Sequence, residues 1–292
     1  MSKVVVFNVI AVVLAAAFAI VVHAALPAPV DDLAFDSAVV QLVGFPVVAV
    51  SYFVALFTHC AVVVHAFGRR STVSTLATGA RFGLAFALLY LVGMQEVVVD
   101  ASPFAAWGLD FVAYQFFMGL GDALPVFLLC TSVAYVALGA RERPIPTRTL
   151  GARAQAVIVA AITLTFFVQR TIGHTTGIVH SNIGSYPLQT LMWTALFGAA
   201  LGCAYVLVYP VFARERRILT LSIRLVVLTI GVNWMLFNAF IGLLFSGTMP
   251  QMLLRSGLDI AVMLLTSLVV LGYVGRNDGD DIERDGDAGF GD

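Results

Sequence analysis

The chain has 292 residues, is 60% hydrophobic and only 11% charged, and carries a net charge of −1. A soluble domain has about 25% charged residues, so most of this surface is built for lipid, and without a basic excess a nucleic-acid binder is excluded. Lys3 is the only lysine against fifteen arginines, which leaves no intramembrane lysine for a retinal Schiff base.

The fold class is all-α, a polytopic membrane bundle of about eight transmembrane helices. A hydrocarbon core of about 30 Å takes about 20 helical residues, and lipid offers the backbone no water to bond. The expected spans lie near 4–25, 40–67, 80–99, 110–139, 154–170, 187–213, 218–245 and 256–275, making residues 1–276 one bundle. The first ends in Val22-His23-Ala24, which looks like a signal-peptide cleavage site. Its apolar run of about 19 residues exceeds the usual 7–15, which favours a retained helix.

The second span holds His59 and His65, six residues apart and so on different faces. The third ends with Gln95 and Glu96, and Glu96 is either solvated at the interface or paired with Arg170 across the bundle. The fourth is the most informative. It contains Gly119-Leu-Gly121-Asp122-Ala-Leu-Pro125, and a carboxylate at that depth costs about 2.5–3.5 kcal/mol on insertion scales. Pro125 lacks a donor and crowds the carbonyl of Gly121, so a helix break at Gly119, Gly121 and Pro125 is expected beside Asp122. Gln115, seven residues earlier, shares the face of Asp122.

The polar linker Arg141–Arg148 divides the bundle into two sets of four spans. The fifth span ends at Arg170, and the Gly- and hydroxyl-rich loop Thr171–Pro187 follows, with His174 and His180. Asn233 and Asn238 lie in the seventh span, where amides hydrogen-bond across helices. Arg255 and Asp259 in the eighth are four apart and can share a helix face. Residues 277–292 carry six aspartates and one glutamate and read as an acidic disordered tail.

Linkers after the second, fourth and sixth spans hold arginines, while those after the first, third and seventh hold Asp31, Asp32, Asp36 and Asp100. The positive-inside rule then places both termini in the cytoplasm of a cell with this protein in its plasma membrane. Arg170 and Arg255 are the two basic residues on the wrong side, and each calls for a carboxylate partner.

No catalytic elbow, zinc helix, phosphate loop or metal motif occurs, Cys60, Cys130 and Cys203 lack a Cys-x-x-Cys spacing, and neither a cofactor nor a metal is expected. The leading expectation is a small-solute or ion permease, proton-coupled through Asp122 or Glu96, with binding candidates Asp122, Glu96, Arg170, Gln115 and Asn238. The alternatives are a non-catalytic scaffold or complex subunit, and an intramembrane enzyme acting on a lipid-like substrate. Partners are the lipid bilayer and a small solute or ion; protein partners and oligomeric state are left open.

Overall fold

A computed structural model describes residues 3–26, 35–96, 109–139 and 149–287, with the backbone alone for 109–111 and 274–287. Eight helices are long and apolar enough to cross a membrane, and no strand occurs among the described residues. In chain order they are α1 (Lys3–Ala25), a short α2 (Ala38–Val43), α3 (Phe45–Gly68), α4 (Thr75–Gly93), α5 (Leu109–Leu138), α6 (Ala152–Thr176), α7 (Pro187–Phe212), α8 (Ile218–Leu244) and α9 (Met249–Asp287).

The second span is shorter than expected because the chain breaks at Gly44, whose φ of +83° suits glycine, and Pro46 opens α3. Ser37 caps α2 by accepting from the Val40 amide at 3.1 Å. The third span ends at Gly93, earlier than expected; residues 97–99 lie outside the described ones. Helix α6 runs two turns beyond Arg170 and stops at Gly177, where φ is +74°. Helix α9 is traced through the acidic stretch to Asp287, where a disordered end is expected from composition; extending a formed helix costs far less than starting one.

The expected break in the fourth span is absent. Helix α5 runs unbroken from Leu109 to Leu138 with Pro125 inside it. Proline is tolerated there because neighbouring helices can compensate the freed carbonyl. Gly119 and Gly121 serve close packing instead. A Cβ at Gly119 would lie 3.0 Å from Leu91 Cα of α4, and one at Gly121 would lie 2.8 Å from Val22 Cγ1 of α1. From the other side, a Cβ at Gly79 would meet the Cys130 carbonyl at 2.8 Å, and one at Gly83 would meet Phe127 Cα at 3.0 Å. Gly198 and Gly202 of α7 press in the same way on Thr163 and Val159 of α6. Where lipid is as apolar as leucine, such small residues let backbones meet and gain dispersion contact.

Helix α8 is irregular. Its middle, Ile223–Gly231, is π-helical between α-helical ends. Aromatic rings fill the centre of the bundle, with Trp193 stacked on Phe197 at 5.2 Å and Phe197 against Trp234 at 4.4 Å.

Candidate functional site

Three clusters of buried polar groups contain the buried carboxylates, guanidiniums and asparagine amides among the described residues. The first lies at the end of the bundle opposite the arginine-rich connections. Arg170 of α6 is 1% exposed and is gripped by two carboxylates. Its Nε and Nη2 donate to Asp259 of α9 at 2.8 and 2.6 Å, and Nη1 lies 2.8 Å from Glu96, just past α4. The other oxygen of Glu96 lies 3.3 Å from Arg255 Nη2, and Arg255 Nε donates to Asn238 Oδ1 at 2.9 Å. Trp234 Nε1 donates to Asp259 at 3.0 Å, and Asn238 Nδ2 donates to the Trp234 carbonyl at 3.0 Å. The Arg170 guanidinium also lies over Phe166 and Trp193, 5.4 and 5.8 Å from the ring centres.

Two cations therefore meet two anions in a buried core. Desolvating such charges is expensive, and the cost is offset only when geometry is good and the remaining donors are bonded. The paired Nε and Nη2 bonds to Asp259 supply the planar fork that suits arginine and not lysine. Glu96 takes the second of the two arrangements expected for it, pairing with Arg170. Arg255 and Asp259 do enter one network, but each has its ion-pair partner on another element.

The second cluster is Asp122 and His23. Asp122 is 0% exposed, and its Oδ1 lies 2.9 Å from Nε2 of His23 on α1, a ring that is 16% exposed. The two atoms lie within ion-pair distance, but neither Nε2 nor Oδ1 makes a hydrogen bond of good geometry among the described residues. The ring also bonds the backbone of Met118 and packs edge-on against Phe53 at 5.1 Å. The second carboxylate oxygen, Oδ2, is buried with no hydrogen-bond partner among the described residues. Asp122 and Arg170 share no bonding partner there. Gln115 is also buried, two turns before Asp122 on α5.

No protein-family model, no curated protein and no solved structure matches this chain.

The third cluster lies in mid-bundle, where α8 is π-helical. The wide turn bonds Val232 N–H to Val227 O, five residues back, and so frees carbonyls for outside donors. The Leu228 carbonyl meets His59 Nε2 of α3 at 3.0 Å, and His59 Nδ1 lies 3.3 Å from Asn233 Nδ2. Asn233 also donates to the Tyr90 hydroxyl at 2.9 Å and lies 3.3 Å from Cys60 Sγ. With Nε2–H donating to the carbonyl, Nδ1 is free to accept from the amide, and the neutral ring satisfies both neighbours.

The partners of Trp234, His23, His59 and Tyr90 could not be read from the sequence. They stand on other helices, and spacing along one chain segment carries no distance across the bundle. The outer loop could be judged only by composition. It is tied to the start of α9, where Gln251 donates to the Ile178 carbonyl at 3.3 Å and accepts from the His180 amide at 3.4 Å.

Proposed function

We propose that this eight-span chain is a non-catalytic membrane component, a scaffold or subunit of a larger assembly, and that its buried charges are clasps between helices. The observation that carries this reading is the closed network around Arg170. Among the described residues Glu96, Arg170, Asp259, Arg255 and Asn238 are joined to one another by ion pairs and hydrogen bonds, and their formal charges cancel. A solute site needs groups held ready for a ligand, and three of these five, Glu96, Arg170 and Asn238, were candidates for one. The unbroken α5 counts in the same direction, because a broken helix would have offered free backbone groups to a solute. The arginine-rich end faces the cytoplasm in this reading. The test is to solubilise the protein from its own membrane in a mild detergent and size it. A stoichiometric assembly that survives purification is expected. A monodisperse monomer that passes protons or solutes in liposomes would overturn the reading.

One observation favours a second reading, a proton-coupled permease. Asp122 and His23 bring a fully buried carboxylate within ion-pair distance of a partly exposed imidazole ring. Such a pair can take up and release a proton, and it would equally supply the acid and base of a lipid-modifying enzyme. Proton flux into liposomes, seen with a pH-sensitive dye and lost in Asp122→Asn, would favour it. Absence of flux in the unaltered protein would remove it.

A further inference from the structure

A recess of about 390 Å³ opens at the arginine-rich end, between the ends of three spans. Its lining is Phe67 and Arg70 from α3 and the turn after it, Phe212, Arg214 and Glu215 at the end of α7, and Arg224 at the start of the π-helical part of α8. Three arginines thus face one carboxylate. Glu215 is already bonded to Arg224 Nη1 at 2.6 Å. The side chains of Arg70 and Arg214 have no anion among the described residues. The floor is apolar, with Phe67 against Phe212 at 5.1 Å.

Gathering three guanidiniums around one carboxylate leaves about two positive charges uncompensated in a concave site, where low-dielectric walls strengthen the field. The partial negative charge at a helix C-terminus accounts for an arginine at the end of α3 or α7. It does not account for a recess between them that also takes in Arg224 from within a span. Guanidinium forks match phosphate oxygens in pairs, and basic recesses between membrane helices are suited to anionic headgroups. We infer that this recess binds a phosphoryl group, with Arg70 and Arg214 as its ligands, Arg224 steered by Glu215, and the Phe67–Phe212 floor beneath. The group comes either from an anionic lipid headgroup or from free phosphate.

The test uses the full chain in nanodiscs of phosphatidylcholine, with and without one-tenth phosphatidylglycerol, and in phosphatidylcholine nanodiscs with added inorganic phosphate. Lipid retention is read by native mass spectrometry, and melting temperature is read in parallel. If the source is lipid, phosphatidylglycerol is retained and raises the melting temperature. The double variant Arg70→Gln/Arg214→Gln then binds it roughly ten- to thirty-fold more weakly, as expected for losing two direct guanidinium–phosphate contacts. If the source is free phosphate, the melting temperature rises with phosphate alone, and the same variant loses that rise. Glu215→Gln, which removes the competing carboxylate, strengthens binding in either case. Arg69→Gln/Arg217→Gln removes equal charge from exposed positions outside the recess and leaves binding within about two-fold. The inference is overturned if neither phosphatidylglycerol nor phosphate separates the unaltered protein from the double variant. It is equally overturned if the outside pair matters as much as the inside pair.

Discussion

At the scale of single residues, burial and partnership decide what each polar group does. Among the described residues His23 is the one ion-pair partner of Asp122, a carboxylate wholly out of solvent. His23→Leu therefore leaves Asp122 buried and unpaired, and should cost about 3 kcal/mol of stability, because breaking a buried pair exposes the full desolvation penalty of the survivor. Asp122→Asn keeps a polar group opposite the ring and loses the charge, so it should cost less than about 1.5 kcal/mol. Denaturation in mixed micelles distinguishes the two, and equal losses would mean that the charge does not matter. The sequence already marked Asp122 as anomalous by depth, and Arg170 as anomalous by its side of the membrane. It could not name the partner of Asp122, because His23 lies about a hundred positions away and its proximity depends on how α1 packs. Arg170 was different. Glu96 was the natural acidic candidate near the same end, and charge balance alone suggested the pair.

At the scale of elements, glycine placement was legible but its meaning was not. Gly119 and Gly121 next to Pro125 suggest a broken helix when α5 is considered alone. In the bundle they are the positions where α4 and α1 come closest to it. Gly79→Val should push α4 off α5, since its Cβ would meet backbone atoms of Cys130 and Thr131 at 2.8 Å that cannot move aside. A loss of about 1–3 kcal/mol is expected for such overpacking. Gly257→Ala on α9, where a Cβ meets nothing within 4 Å, should instead be neutral or stabilising by up to about 1 kcal/mol. The same unfolding assay on the two variants reads the contrast, and a neutral Gly79→Val would show that α4 and α5 are not in close backbone contact. The π-helical segment was not legible at all. Ile223–Gly231 has no proline or unusual pattern to announce it, and it becomes visible only through the five-residue hydrogen-bond spacing and the carbonyl bonded to His59.

At the scale of the molecule, the number of spans was the most secure inference. Apolar length and the demand that lipid makes on the backbone leave little choice, and all eight segments appear as helices. Ends were less secure: Gly44 interrupts a run that stays apolar by composition, and α6 continues to Gly177 through polar residues that read as loop. With eight spans both termini are expected on one side, and the positive-inside rule predicts that side to be the cytoplasm. A reporter fused after Tyr273 should therefore fluoresce as a cytoplasmic fusion and show no activity as a periplasm-type enzyme fusion. The opposite result would reverse the orientation and place the basic recess on the outer face.

The charges around Arg170 are held to be a closed structural clasp, and a double-mutant cycle on Arg170 and Asp259 tests that most directly. Arg170→Gln alone leaves Glu96 and Asp259 with a single buried cation, and should cost about 3–5 kcal/mol in micelle unfolding. Adding Asp259→Asn restores neutrality while keeping the Glu96–Arg255 pair, so the double variant should recover at least about 2 kcal/mol of that loss. Losses that simply add, or an Arg170→Gln protein as stable as the original, would show that these groups do not hold the bundle together and are available for another task.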